Sequence, residues 1–253
     1  MHITLTGNLG SGKSTVCKLL EGKYGFDIFS TGKVIRSIAD DLGISVLEMN
    51  ELMTKDHQYD HMIDDKTASI SRENPDKAIL FDSRLAWHFV EKSFKVFLSV
   101  DLGEAARRVY NDASRGEVEA YKDIEDAKTQ LAARAANEDK RYEELYGIHY
   151  FDFKNYNLVL DSSFLPPERI AEALMNEARG CETWDGYEKT GRILVSPKRL
   201  GYASETEVTF EHGYVYPVPI KVSIDGDRFT ILEGEEYVKR AGEEGYAYVA
   251  ASL

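Results

Sequence analysis

Short apolar runs alternate with helix-like patterns along the first 179 residues of the chain. The apolar runs cover residues 2–6, 26–29, 78–81, 94–100 and 158–160. Between them, apolar residues recur at helical spacing, as in Val34, Ile35, Ile38 and Leu42 before Gly43. This alternation is typical of a parallel sheet covered by helices on both faces. It predicts an α/β protein with five parallel strands in a three-layer α/β/α arrangement.

The pattern changes after residue 179. Residues 181–189 are polar and turn-rich. Strand-like runs then follow at residues 193–195, 207–210, 220–224, 228–232 and 247–251, with a helical pattern at residues 235–244. Asp225-Gly226-Asp227 is typical of a hairpin turn. We therefore expect residues 180–253 to form a separate small α+β domain that serves regulation, oligomerisation or protein binding.

The charge balance narrows the classes of partner. The 253 residues include 31 Lys and Arg against 44 Asp and Glu, a net charge of −13, which argues against nucleic acid or an anionic membrane surface. No apolar run approaches the roughly 20 residues needed to cross a bilayer. The two cysteines, Cys17 and Cys181, lie far apart. These observations predict a cytoplasmic protein without disulfides that acts on a small molecule.

A phosphate-binding motif follows the first apolar run. Residues 7–14, G-N-L-G-S-G-K-S, fill every fixed position of G-x-x-x-x-G-K-[ST]. A strand, a glycine-rich turn and a helix in this order direct backbone N–H groups and a helix dipole toward phosphate oxygens. We expect Lys13 to reach the β- and γ-phosphates of ATP and the Ser14 hydroxyl to bind Mg²⁺. The predicted cofactor-binding residues are Gly7, Asn8, Gly10, Ser11, Gly12, Lys13, Ser14 and Thr15.

Several arginines lie between the fourth and fifth apolar runs, among them Arg107, Arg108 and Arg115. Arg134 and Arg141 are seven residues apart, so a continuous helix places them on nearly the same face, about 10 Å apart along its axis. Arginine pairs with phosphate oxygens in a bidentate manner, which suits phosphoryl transfer. The alternative is a solvated helix whose arginines pair with neighbouring acidic residues, namely Glu138, Asp139 and Glu143.

Two other polar groups have different predicted roles. Asp82-Ser83-Arg84 stands at the end of the third apolar run, and ligands of open α/β sheets bind at the carboxyl ends of the strands. His57 and His61 are one helical turn apart, near Asp60 and Asp64. We interpret these four residues as the polar face of an exposed flap helix rather than as a metal site.

In combination, these segments resemble the cytidylate kinases of the archaeal type. The resemblance covers residues 1–179 and rests on the phosphate loop, Ser30-Thr31-Gly32 with Arg36, residues 82–86, residues 137–148 and residues 156–162. It implies that Thr31 and Arg36 bind the acceptor's phosphate, that Asp82 and Arg84 border the acceptor site, and that Arg134 and Arg141 face the transferring phosphates. It also implies a flap at about residues 33–72 and a lid at about residues 107–123, which contains Arg108 and Arg115.

The sequence departs from this family at three positions. Ser83 stands where the family usually has glycine, and His149 and Asn157 stand where it has aspartate. In the C-terminal part, residues 217–251 are similar to the core of ParB-like and sulfiredoxin-like domains. That family has a phosphate-binding G-H-x-R-type segment where this chain has residues 234–237, G-E-E-Y.

The resemblance implies a P-loop kinase that transfers a phosphoryl group from ATP to a nucleoside monophosphate, with CMP or dCMP as the first candidate. The catalytic residues would be Lys13, Arg108, Arg134 and Arg141. A nucleoside monophosphate already carries an anionic oxygen, so alignment and charge neutralisation would suffice. Two alternatives stay open: a kinase for another metabolite's hydroxyl group with Asp82 as the base, and a non-catalytic nucleotide-responsive regulator.

Overall fold

The computed structural model describes residues 1–45, 48–49, 52–53, 58–112, 121–181, 191–203, 206–210, 213–226 and 228–253. The strands are β1 (His2–Gly7), β2 (Asp27–Ser30), β3 (Ile79–Asp82), β4 (Phe94–Ser99), β5 (Leu158–Asp161), β6 (Arg192–Val195), β7 (Val215–Asp225), β8 (Arg228–Glu233) and β9 (Tyr248–Ser252). The helices are α1 (Lys13–Tyr24), α2 (Thr31–Leu42), α3 (Gln58–Glu73), α4 (Ala86–Phe89), α5 (Leu102–Tyr110), α6 (Ile124–Tyr146), α7 (Pro167–Gly180) and α8 (Glu235–Glu243).

The first five strands pair in parallel in the order β2-β3-β1-β4-β5. The predicted parallel sheet is therefore confirmed. The carboxyl ends of all five strands lie at one edge of the sheet, where the phosphate loop follows β1 and Asp82 ends β3. This topology brings the predicted site residues toward one place.

The C-terminal strands continue the same sheet, so our expectation that they stand apart from it is wrong. β6 pairs in parallel with β5, β9 pairs antiparallel with β6, and β7 and β8 complete the nine-stranded order. One buried cluster also joins Phe97 and Tyr156 of the N-terminal part to Ile193, Phe229 and Val249 of the C-terminal part. Shared backbone hydrogen bonds and a shared core make the C-terminal residues an extension of the α/β layers. The domain boundary near residue 180 stays a prediction.

Helices cover both faces of the sheet. On one face, α1 and α7 bury Leu20 and Leu174 against strand residues such as Leu5 and Leu98. On the other face, the end of α6, the aromatic residues 150–156 and α8 cover the sheet. This is the predicted three-layer α/β/α arrangement.

Local signals fixed several helix ends. Gly25, Gly43 and Gly147 follow α1, α2 and α6 in the left-handed conformation that favours glycine. Ser45 and Glu48 exchange the two hydrogen bonds of a capping box, at 2.8 and 3.1 Å. These caps place the turns where the sequence predicts them.

The flap has its own small hydrophobic cluster. Ala39, Met49, Met53 and Ile63 are buried in it, with Val34, Ile35 and Ile38 packed against them. Leu42 is 49% exposed, so it does not belong to the buried face of α2 as the pattern predicted. Leu42 is the last residue of its helix, where the apolar stripe has already left the cluster.

Two further predictions about the C-terminal residues can be compared with the structure. Residues 207–210 do not form a strand; Thr209 donates a backbone hydrogen bond to Gly245 instead. The predicted hairpin joins β7 to β8, with Gly226 at a φ of 61°, although Asp227 lies outside the described residues. Among the described helices, none is both long enough and apolar enough to span a membrane.

Candidate functional site

The turn between β1 and α1 packs so closely that glycine is required at two positions. A side chain on Gly7 would place its Cβ atom 2.4 Å from the carbonyl oxygen of Leu98. Gly10 has a φ of 78°, and a Cβ atom there would lie 3.0 Å from that of Ala105. Because only glycine fits such approaches, the motif holds the turn close to its neighbours directly before Lys13.

The remaining loop residues lead into the helix. Ser11 is buried, and Gly12 is left-handed with a φ of 84° and open space where a Cβ atom would lie. Ser14 and Thr15 are exposed in the first turn of α1, and the Thr15 N–H group bonds the Gly12 carbonyl at 3.0 Å. The Ser14 hydroxyl is therefore available at the positive end of a helix dipole.

Two side chains hold the loop from outside. Asn8 accepts a hydrogen bond at Oδ1 from the backbone N–H group of Val100, the first residue after β4, at 3.2 Å. Arg108 donates from Nη2 to the carbonyl oxygens of Ser162 and Ser163, at 2.7 and 2.8 Å, and its Nη1 lies 3.4 Å from the Gly10 carbonyl oxygen. The Arg108 guanidinium thus fixes backbone, and its predicted contact with a transferring phosphate stays a prediction.

A cleft of about 370 Å³ opens beside the loop, at the ends of β2 and β3 and against α2, α3 and α6. It is lined by eight of the predicted site residues: Lys13, Ser14, Thr31, Arg36, Asp82, Arg84, Arg134 and Arg141. Arg115 lies outside the described residues. These eight residues come from four separate segments of the chain and converge on one volume, and five of the eight are cations.

Lys13 has an unusual electrostatic environment at the floor of this cleft. Burial and the positive charge of Arg84 lower the pKa of Lys13 to about 8, against the opposing effect of Asp82 and Glu138. A phosphate bound next to Lys13 would stabilise the charged ammonium group and so raise the pKa of Lys13 again. The lysine is therefore suited to bind an anion that the protein itself does not supply.

Arg84 connects the third strand to the phosphate loop and to α6. Its Nε donates to Glu138 at 2.9 Å, and its Nη1 donates to the Gly7 carbonyl oxygen at 2.8 Å. Burial alone would raise the pKa of Glu138, but the charges of Arg84 and Arg134 outweigh that effect and lower it. Glu138 is thus a carboxylate in the cleft, whereas the sequence indicates it only as a partner for arginines on a solvated helix.

Arg134 and Arg141 both face the cleft, as the seven-residue spacing predicts. Arg134 is half exposed and donates to Glu138 at 3.2 Å, which is the pairing of the solvated-helix alternative. The Arg141 guanidinium lies 5.2 Å from the centre of the Tyr142 ring, and its Nε is buried without a hydrogen-bond partner among the described residues. Arg141 therefore keeps donor capacity for a ligand.

The flap side of the cleft carries two carboxylates, Asp60 and Asp64, so the prediction that they lie on an exposed face is wrong. Asp60 is 8% exposed and lines the cleft beside Asp64, one helical turn away on α3. Asp64 accepts a hydrogen bond from the Tyr146 hydroxyl at 2.5 Å, and burial raises the pKa of Asp64 to about 6. Their spacing of four residues was a signal for a shared face, but it did not show which face is buried. His57 lies outside the described residues.

The three departures from the family pattern involve other contacts. The Ser83 hydroxyl accepts a bond from the Leu85 N–H group at 3.3 Å, which turns the side chain back onto its own backbone. His149 pairs with Asp139 at 2.9 Å, and this contact raises the pKa of His149. Asn157 accepts a hydrogen bond at Oδ1 from the backbone N–H group of Lys95, at 2.8 Å.

Comparison with known proteins gives a consistent result. The sequence model of the cytidylate kinase-like family matches residues 2–164. A cytidylate kinase of Natronomonas pharaonis is 35% identical over 172 residues, 67% of this chain and 85% of the relative. One from Methanobrevibacter smithii is 28% identical over 175 residues, 69% of this chain and 96% of the relative. A solved structure of an uncharacterized protein from Eubacterium ventriosum shares the fold, with a TM-score of 0.53 at 15% identity, covering 71% of this chain and 98% of the other.

Proposed function

Because the chain belongs to the cytidylate kinase-like family, we propose that it transfers the γ-phosphoryl group of ATP to a nucleoside monophosphate, with CMP or dCMP as acceptor. The observation that carries this proposal is the convergence of eight predicted site residues on one cleft next to the phosphate loop. The cytidylate kinases among its relatives support CMP as the acceptor. A cytoplasmic location would suit an enzyme of the nucleotide pool.

The loop and the arginines divide the work between donor and acceptor. The loop and Lys13 would hold the β- and γ-phosphates of ATP, while Thr31 and Arg36 of the flap would hold the acceptor's phosphate. Arg134 and Arg141 would neutralise charge on the phosphoryl group between them. The acceptor oxygen is already anionic, so the chain needs no strong base for this step.

Mg²⁺ fits the oxygen donors of the cleft. The Ser14 hydroxyl and the Asp82 carboxylate both line it, and hard oxygen ligands are those that Mg²⁺ prefers. The described residues contain no group of three or more His, Cys, Asp or Glu side chains that would hold a metal by themselves. We therefore propose that the ion enters with the nucleotide and that Ser14 would hold it, where the ion would supply positive charge against the phosphate oxygens.

The test is a panel of acceptors with ATP and Mg²⁺, followed by ADP release. The panel includes CMP, dCMP, UMP and AMP, together with sugars and other hydroxyl acceptors. CMP-dependent or dCMP-dependent ADP release supports the proposal. Release that depends on a hydroxyl acceptor would instead support the kinase with Asp82 as base, release without an acceptor an ATPase, and no release a regulator.

Two variants test the division of the site. Lys13→Ala should abolish transfer because it removes the loop's ammonium group, whereas Arg36→Ala should mainly raise the acceptor KM. Lys18→Ala is the matched control, since Lys18 is exposed on the same helix as Lys13. Unchanged rates in both site variants would contradict the assignment.

A further inference from the structure

A side chain from beyond the family match reaches the ends of the central strands. Arg199 lies in a 3-10 turn, Pro197–Leu200, that follows β6, whereas the family match ends at residue 164. Its side chain is 3% exposed and donates from Nη1 to Ser99 at 2.8 Å and to Asp161 at 3.1 Å. The guanidinium also lies 4.7 Å from the centre of the Phe229 ring. The C-terminal extension therefore places a buried cation at the carboxyl ends of β4 and β5.

Asp161, the ion-pair partner of Arg199, organises the turn after β5. Its side chain is 1% exposed. Its Oδ1 accepts bonds from the N–H group and the hydroxyl of Ser163, at 3.0 and 2.5 Å, and its Oδ2 accepts a bond from the Ser196 N–H group at 3.1 Å. A buried carboxylate with this many donors fixes the backbone of residues 161–163 only while its charge is compensated.

The same turn is hydrogen-bonded to α5, the helix whose Arg108 side chain also approaches the phosphate loop. The carbonyl oxygens of Ser162 and Ser163 accept bonds from Arg108, which also approaches the Gly10 carbonyl oxygen. The Ser163 hydroxyl accepts a bond from the Asp101 N–H group at 2.9 Å, and Asp101 caps α5, the helix that carries Arg108. Contacts thus run without a break from Arg199 through Asp161 and Arg108 to the loop.

We propose that Arg199 is a positioning residue for the donor nucleotide, and that the C-terminal extension is part of the donor half of the site. The proposal rests on the proposed function in taking ATP as the donor. Loss of Arg199 leaves the Asp161 carboxylate buried without its cation, so the turn rearranges and Arg108 loses two aligned acceptors. The loop then binds ATP less tightly. The acceptor residues Thr31 and Arg36 lie on the flap side of the cleft and keep their geometry.

A merely structural role for Arg199 makes a different prediction. It would lower stability and the active fraction, and so reduce kcat, while both Michaelis constants stayed unchanged. A positioning role raises the Kd and the KM for ATP and does not change the KM for the acceptor. A change that is confined to ATP therefore distinguishes the positioning role from the structural one.

The experiment uses the full chain with Arg199→Met, Arg199→Lys and the double variant Asp161→Asn/Arg199→Met. The double variant removes both buried charges, so it is the informative protein if Arg199→Met fails to fold, and Arg199→Lys keeps the charge without the planar fork. Arg192→Met is the matched control, because Arg192 is half exposed in β6 and pairs with Glu177. Circular dichroism reports folding. Titration with fluorescent N-methylanthraniloyl ATP measures the affinity for the donor, and steady-state kinetics measure the KM for ATP and the KM for the acceptor.

We expect Arg199→Met to bind the ATP analogue about tenfold more weakly, within the range for substitutions that act through a contact network. The double variant should also bind it more weakly, because the Asp161→Asn side chain keeps only one of the two oxygens that accept hydrogen bonds from Ser163 and Ser196. Arg199→Lys should lie between them and the wild type, and Arg192→Met should match the wild type. Folded variants that bind ATP normally, or that change the ATP and CMP constants equally, would overturn the proposal. If the wild type transfers to no nucleoside monophosphate, the proposed function fails, but the binding comparison still decides the role of Arg199.

Discussion

Arg84 and Glu138, which are 54 positions apart in the chain, form an ion pair with 2.9 Å between Nε and Oε2 and with both side chains less than one-fifth exposed. The pair joins the second residue after β3 to α6. It places a negative charge between the guanidinium groups of Arg84 and Arg134, so the protein's own charges in the cleft are partly compensated. The carboxylate is therefore part of what holds those cations together before a phosphate arrives.

Substitution of Glu138 should destabilise the protein more than its partial exposure suggests. Glu138→Ala leaves Arg84 with less compensation close to Lys13, and breaking a buried pair costs about 3 kcal/mol at the low end of measured values. Glu144→Ala is the control on the same helix, where an exposed carboxylate lies 3.8 Å from Lys140. Urea unfolding measures both variants. Equal, small losses would contradict the structural importance of the Glu138 pair.

ATP binding should take up a proton in mildly alkaline solution. The pKa of Lys13 is lowered to about 8, so much of the lysine is neutral at pH 9, and the phosphates restore its charge. If binding needs the charged form, affinity at pH 9 is about tenfold weaker than at pH 7. Calorimetry in buffers of different ionisation enthalpy detects the uptake. Lys18→Met should retain it and Lys13→Met should lose it; uptake that persists without Lys13 belongs to another group.

Gly7→Ala should destabilise the loop through a steric contact. The new Cβ atom would lie 2.4 Å from the Leu98 carbonyl oxygen, and overpacking of this kind costs about 1–3 kcal/mol. Gly22→Ala is the opposite case, because Gly22 is exposed within α1 with open space around it. We expect that variant to gain about 0.5–1 kcal/mol. Thermal unfolding compares the two, and a neutral Gly7→Ala would show that the loop can move away from β4.

Asp64 should make stability depend on pH in a defined direction. Burial, opposed by the Tyr146 hydrogen bond, raises the pKa of Asp64 from 3.8 to about 6; Asp60 raises it further and His61 lowers it. The folded protein then holds the Asp64 proton more tightly than the unfolded chain, so this stabilisation is complete below pH 4 and lost as pH rises through 6. Asp64→Asn should gain stability relative to the wild type over that interval. Asp65→Asn, an exposed neighbour, should not; parallel curves for all three proteins would contradict the shift.

Much of the N-terminal fold was accessible from local signals. Glycine at the ends of α1, α2 and α6 marks turns through its left-handed conformation, and short apolar runs mark strands because parallel strands are buried on both faces. Lys13 and Ser14 followed from a motif whose spacing is set by the backbone of one turn. Such features depend on neighbours in sequence, and a sequence displays those directly.

The C-terminal strands were harder because their partners are not local. Nothing in residues 192–195 shows that they pair with β5 rather than with a sheet of their own. β7 begins before the predicted run and includes Pro217 and Pro219, and its pairing with β9 shifts register between Tyr216 and Ile220. Proline has no backbone N–H group to donate to a neighbouring strand, so the sequence does not predict a strand at residues 215–219.

The site shows the same limit. The resemblance implies a phosphate contact for Arg108, while the bonds of Arg108 to Ser162 and Ser163 depend on how α5 packs beside the end of β5. Asp60 and Asp64 have the composition of a solvated surface, and only the packing of α3 against the cleft buries them. The role of Arg108 in phosphoryl transfer stays a prediction.

The pairing of β6 with β5 has a practical consequence for anyone who shortens this protein. A chain ended near residue 180 would match the span of its relatives, yet it would leave the backbone of Leu158–Asp161 as an open strand edge and uncover the aromatic side chains beside it. Exposed edges of this kind recruit other chains and aggregate. We therefore expect a fragment that ends near residue 180 to aggregate, although it contains the whole region matched by the family.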